Sequence, residues 1–163
     1  MEKQIITLEA IKLVGITART NNANEMDPAK AKIGQVISKY FGEGIADQIP
    51  NRSNPGVTYA VYTEYENEHH GEYTYFFGEA VDHFDDLPES LSTLLIPASS
   101  YTKFTTGSGP MPNVVIDAWQ AIWQMTSDDF GGNRCYGADF EVYDARAADP
   151  QNAILDIFIG ITQ

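Results

Sequence analysis

Apolar and polar positions along this chain follow two rhythms, and the switches between them predict its elements. From Ile5 to Thr20 β-branched residues dominate, predicting one long strand kinked at Gly15. Asn21–Glu25 reads as a polar loop. Asp27-Pro28 predicts a helix start, because the carboxylate can cap and proline tolerates the first helical position. Ile33, Val36, Ile37, Tyr40 and Phe41 then recur at helical spacing, and Gly42 and Gly44 supply the stop. Residues 45–56, rich in Pro, Asn and Gly, read as loop. The period changes to two in the strand containing Tyr73, Tyr75 and Phe77, which a charged turn joins to the preceding strand at 56–65. An acidic connector with Pro88 follows, then a strand at Ser99–Thr106 and a turn over Gly107–Pro112. Asn113 is placed to cap a helix whose stripe is Val115, Trp119 and Ile122, with Trp123 one turn beyond Trp119. Strands at 138–144 and 153–161 close the chain.

This layout states itself twice: strand, amphipathic helix, two more strands. Tyr62 and Tyr143 correspond at an offset of 81, and Gly78 and Gly160 at 82. The expected fold is therefore α+β, with duplicated β-α-β-β halves and antiparallel strand pairs. The helices should lie on one side, with a shared surface on the other. The chain is expected to be a single domain, 1–163, with pseudo-repeats at about 1–82 and 93–163 and the connector at 83–92. The seam between such halves is a preferred place for a ligand cleft.

A chain of 163 residues buries about 70% of its unfolded surface, so the fold requires no metal or disulfide. The longest near-apolar run, Ala153–Ile161, is too short for a membrane span and is broken by Asp156. The N-terminus lacks the basic start and apolar block of a secretory signal. One cysteine, Cys135, leaves no internal disulfide and suits a reducing, cytoplasmic setting. The formal charge of −13, with no Lys/Arg cluster to offset it, repels nucleic-acid phosphates and anionic lipid and draws in cations.

Candidate chemistry concentrates in Ala138–Tyr143. Alternation puts Phe140 and Val142 on one face and Asp139, Glu141 and Tyr143 on the other. If that second face meets solvent, Glu141 is a surface residue. If it meets the seam, Glu141 is a carboxylate among rings. Rings are plentiful: 19 of the 163 residues are Phe, Trp or Tyr, and although most such residues are core, tyrosine's polar handle also suits a pocket. An aromatic box with one acid is a sensible receptor for lipophilic cations. Other candidates are weaker. His69-His70 among glutamates reads as an exposed turn, and His83 with Asp82, Asp85 and Asp86 as acidic linker. Gly107-Ser108-Gly109-Pro110 lacks the Gly-Lys-Ser/Thr of a phosphate loop, and Cys135 lacks a nucleophile motif. No metal site and no cofactor are expected.

Three strings carry a resemblance: IPASSYTKFTTGSGPMPNVVIDAWQAIW (96–123), RCYGADFEVYD (134–144) and ILDIFIGI (154–161). Together with TYAVYTEY and GEYTYFFGEAV in the first half, they resemble the GyrI-like effector-binding family over nearly the full chain. The resemblance implies a duplicated strand-helix-strand-strand fold with a ligand cleft between halves. It also implies kinship with the drug-sensing modules of AraC-type and MerR-type regulators; no helix-turn-helix region accompanies the match, so a stand-alone form is expected. By resemblance Glu141 lines the cleft, Trp119 is the helix tryptophan and Tyr101 the tyrosine of Ile-Pro-Ala-x-x-Tyr. Tyr143, Phe77, Tyr75 and Trp123 complete the expected ligand-binding set. The leading expectation is a binder of amphipathic or cationic small molecules that contacts no nucleic acid or membrane. The alternatives are a hydrolase of electrophilic small molecules, with Glu141 as base and a tyrosine such as Tyr101 polarising the leaving group, and an inhibitor of a protein partner such as gyrase.

Overall fold

The computed structural model describes residues 1–68 and 70–162. The strands are β1 (Glu2–Leu8), β2 (Ile11–Thr20), β3 (Thr58–Thr63), β4 (Tyr73–Ala80), β5 (Ser92–Ile96), β6 (Ser99–Thr105), β7 (Asn133–Arg134), β8 (Ala138–Tyr143) and β9 (Asp156–Thr162). The helices are α1 (Asn22–Glu25), α2 (Ile33–Gly42), α3 (Ile45–Gln48), α4 (Asn113–Trp123) and α5 (Ser127–Phe130). The strands form one sheet, ordered β1-β6-β9-β8-β3-β4-β2-β5, with β7 beside β9. The pairings along it are antiparallel. The α+β expectation holds.

That order makes the doubling visible. One half reads β6-β9-β8 and the other β3-β4-β2, so the sheet is palindromic about the β8–β3 junction. The leading strands are exchanged: β1 pairs with β6 of the second half, and β5 pairs with β2 of the first. This exchange corrects the expected single strand from Ile5 to Thr20. The chain breaks at Glu9-Ala10, and its two pieces join different halves of the sheet. Gly15 does not mark the break. It faces Gly78 in the β2–β4 ladder, where the backbones approach so closely that a Cβ on Gly78 would lie 2.1 Å from the Val14 carbonyl oxygen.

The helix starts also shift. Asp27 closes a local turn, accepting from the Ala29 amide at 2.9 Å, and α2 begins only at Ile33. Glu25 supplies its cap, accepting from the amides of Lys32 at 2.9 Å and Ile33 at 3.1 Å. The expected loop at Asn21–Glu25 is itself the single turn α1, capped by Asn21. Helix α3 likewise arises where loop was expected, strand β5 fills the stretch between the connector and the strand expected from Ser99, and Asn113 is the first residue of α4 rather than its cap.

Directly paired residues share a face, so the ladders can be read across the sheet. Ile16, Phe77, Ala60, Glu141, Ile157 and Phe104 form one continuous row. This row faces the helices: α2 covers its first-half end, packing Val36 and Tyr40 near Phe77, and α4 covers the other, packing Trp119 and Ile122 near Ile157. The opposite face is no open surface. Phe140, Phe158, Tyr101, Val61, Phe76 and Leu13 pack there with Ile6 of β1 and Ile96 of β5, so the sheet curls around a second core without closing.

Candidate functional site

Glu141 stands mid-row, at the β8–β3 junction, and is 2% exposed. Strand alternation turns it toward the helices together with Tyr143, so the aromatic-lined alternative is the one realised. Its Oε2 accepts from the Tyr62 hydroxyl at 2.8 Å and the Trp119 Nε1–H at 2.7 Å, and the Tyr143 hydroxyl donates to Oε1. All three donors are neutral, and among the described residues no cation pairs with it. Burial pushes the Glu141 carboxyl up, and the bonds from Tyr143, Trp119 and Tyr62 pull against it. Hydrogen bonds to a charged group contribute about 1.5–3 kcal/mol each, while desolvating an ion costs several. In turn, burial and then the Glu141 charge hold the Tyr62 and Tyr143 phenols well above their ordinary range.

Two other buried acids show what Glu141 lacks. Asp139 is paired with Arg134 at 2.8 Å and accepts from Tyr65 at 2.7 Å and the Gly160 amide at 2.9 Å. Asp156 is paired with Arg146 at 2.6 Å.

An aromatic file runs away from the glutamate. Tyr62 lies 5.2 Å from Trp119 and 5.3 Å from Tyr75, both edge-on, and Tyr75 stacks on Phe77 at 6.2 Å. Over its far end opens a cleft of about 850 Å³ between α2 and the segment after β8, walled by Ile37, Phe41, Gly56, Phe77, Tyr143 and Arg146. Arg146 is already held by Asp144 at 2.9 Å and by Asp156. Tyr143 is the link, lining the cleft while its hydroxyl reaches Glu141.

The structure therefore brings Glu141, Trp119, Tyr143, Tyr75 and Phe77 to one face. It sets two expected residues apart. Tyr101 lies on the opposite face, edge-on to Phe140 at 5.3 Å, because it pairs with Gly160, one residue out of phase with the row through Ile157. Trp123 sits at the end of α4, 51% exposed. Tyr62 was absent from the expected set although its offset to Tyr143 singles it out. Of the His69-His70 pair, His69 lies outside the described residues, and no cluster of potential metal ligands occurs among those described. Cys135 is exposed. No described helix is long and apolar enough to cross a membrane.

Residues 4–161 match the family model described as Cass2, integron-associated effector binding protein, and the chain belongs to that family. It is 30% identical over 157 residues, 96% of each chain, to YobU of Bacillus subtilis (strain 168), whose name places it among transcriptional regulators. Among solved structures, the integron cassette protein VCH_CASS2 of Vibrio cholerae superposes with a TM-score of 0.77 at 25% identity, covering 98% of this chain and 95% of that one. SAV2435, solved bound to tetraphenylphosphonium, shares the fold with a TM-score of 0.78 at 21% identity, covering 99% and 94%.

Proposed function

We propose that this protein binds lipophilic, aromatic cations at the seam of its halves, with Glu141 as the charge partner. The carrying observation is the buried carboxylate held by neutral donors alone, where Asp139 and Asp156 both have an arginine. A bound cation supplies the opposite charge that the fold withholds. The cleft beside Tyr143 admits the ligand's apolar body against Phe77 and Ile37, and rings attract such a cation by about 0.5–2 kcal/mol each once it is desolvated. The tetraphenylphosphonium complex of SAV2435, a protein of the same fold, supports this class of ligand.

The alternative of hydrolysis loses Tyr101 as its polarising tyrosine, since Tyr101 and Glu141 face opposite sides of the sheet, and would have to use Tyr62 or Tyr143. Binding is the reading that a buried carboxylate with no resident cation favours. Calorimetric titration with tetraphenylphosphonium tests it: wild type should bind and Glu141→Gln should lose about tenfold or more in affinity. Equal affinity in the two proteins rejects Glu141 as the charge partner.

A further inference from the structure

A second buried acid stands on the same face as Glu141, at the other end of the cleft. Glu79 follows Tyr73, Tyr75 and Phe77 at every second position of β4 and is 2% exposed. From Glu141 it is two ladder steps across, through Ala60 to Phe77, and two residues along β4, a Cα separation of roughly 12 Å. Its contacts are slack. Arg52 approaches Oε2 only to 3.5 Å and the Gly56 amide approaches Oε1 to 3.3 Å, whereas a tight charge-assisted bond spans about 2.7–2.9 Å. Gly56 and Phe77 both line the cleft, so the carboxylate lies just behind its wall.

Beside it is an orphan. The Tyr40 hydroxyl is buried with no hydrogen-bond partner among the described residues, and the Tyr40 ring packs edge-on against Phe77 at 4.9 Å. Tyr40 and Glu79 both adjoin Phe77, one by ring contact and the other as the next residue on the same face of β4, and burial and then the Glu79 charge push this phenol up. The fold itself does not require the acid. By the symmetry of the row, in which Phe77 answers to Ile157, the second half carries buried Ile159 at the equivalent position. An unfilled hydroxyl and a loosely held carboxylate at one end of an aromatic cleft form a receptor for a donor-rich cation.

We propose that Glu79 and Tyr40 form a second subsite of the cleft, taking an N–H-bearing cationic arm, amidinium or primary ammonium, of a ligand whose aromatic body lies along Phe77 and Tyr143. Arg52 is the resident occupant that such an arm replaces: its side chain is 25% exposed, so water can take over its solvation. This rests on the proposed cation binding at Glu141 and adds to it a preference for extended dications with N–H groups over compact cations without them.

Two probes separate the subsites. Tetraphenylphosphonium has no N–H group; diamidinophenylindole is a planar aromatic with an amidinium at each end, and its fluorescence reports binding. Glu79→Gln should weaken diamidinophenylindole about tenfold and leave tetraphenylphosphonium within about twofold. Arg52→Gln should tighten the diamidine severalfold, a gain that loss of a structural ion pair would not produce. Tyr40→Phe should weaken the diamidine without lowering Tm, since the hydroxyl it removes has no partner to lose. The subsite is overturned if Glu79→Gln spares the diamidine, or if it weakens both probes alike. Retention of tetraphenylphosphonium by Glu141→Gln instead overturns the Glu141 reading, and a wild type that binds neither probe overturns both.

Discussion

Ala60 and Glu141 face each other across the β3–β8 ladder and are the same position of the two halves, 81 residues apart. A pair that is at once directly opposed and related by the repeat lies on the local two-fold of the sheet. Tyr62 and Tyr143, also 81 apart, flank it symmetrically, and both hydroxyls bond the one carboxylate. Duplication thus built a near-symmetric frame of donors, and a single acid on its axis uses both. Alanine in the other half leaves the space above β3 for the rings of Tyr62 and Phe77.

The raised Glu141 carboxyl predicts a pH dependence of definite sign. The folded state holds this proton more tightly than the unfolded chain, so the group contributes stability at low pH. That contribution is lost as pH climbs from the ordinary glutamate value of 4.5 through the raised folded value. Glu79 is raised too and acts with the same sign. The difference in Tm between Glu141→Gln and wild type should therefore grow in favour of the variant as pH rises through this window. Affinity for tetraphenylphosphonium should rise with pH over the same range, because the ionised form binds the cation. A pH-independent Tm difference contradicts the assignment.

Asp139 illustrates the opposite regime, a buried acid already compensated. It is fully buried, and Arg134, itself 10% exposed and lying 4.3 Å over the Tyr136 ring, is its cation. Arg134→Met removes the partner and strands the charge, which should destabilise the protein by about 3–5 kcal/mol in urea unfolding. Asp139→Asn keeps an acceptor for Tyr65 and should cost less. The reverse ranking would show that the pair holds nothing in place.

Two glycine substitutions separate close approach from backbone preference. Gly78→Ala drives a Cβ to 2.1 Å from the Val14 carbonyl oxygen, a clash with backbone that no side-chain rotation relieves. Its soluble yield or Tm should collapse. Gly34→Ala, inside α2 with nothing within 4 Å, should instead gain about 0.5–1 kcal/mol from helix propensity. Circular-dichroism melts of the two variants are sufficient to check both.

Much of the candidate cluster was legible in the sequence, although local pattern left open whether the face of Glu141 meets solvent or rings, and the family resemblance tilted that choice. Alternation along β8 assigns Glu141 and Tyr143 to one face, the α4 stripe delivers Trp119, and the repeat offset pairs Tyr62 with Tyr143. What stayed hidden depends on partners distant in sequence. Nothing around Glu9-Ala10 announces that β1 and β2 serve different halves, since both segments have the same β-branched character and only strand pairing separates them. Tyr101 carries the family motif, yet its face is decided by register against β9, which no local pattern encodes. Glu25 outcompetes Asp27 as the cap of α2 because the chain folds back between them. Glu79 was invisible because one acid among aromatics on a strand looks like a solvent-facing residue until a loop covers it.

The symmetry at Glu141 is one of position and not of environment, and that difference is testable. Tyr62 is wedged between Trp119 and Tyr75, while Tyr143 lines the cleft. Tyr62→Phe and Tyr143→Phe each remove one donor from the carboxylate, so each should cost about 1.5–3 kcal/mol of stability near neutral pH and raise the Glu141 pKa further. Because the two hydroxyls share one carboxylate, the double variant should depart from additivity by about 0.5–3 kcal/mol in a double-mutant cycle. Ligand kinetics should break the tie. Tyr143→Phe loosens the residue between cleft and acid and should change the dissociation rate of tetraphenylphosphonium, whereas Tyr62→Phe should leave that rate near wild type. Additive stabilities together with equal dissociation rates would mean that the carboxylate does not couple the two halves.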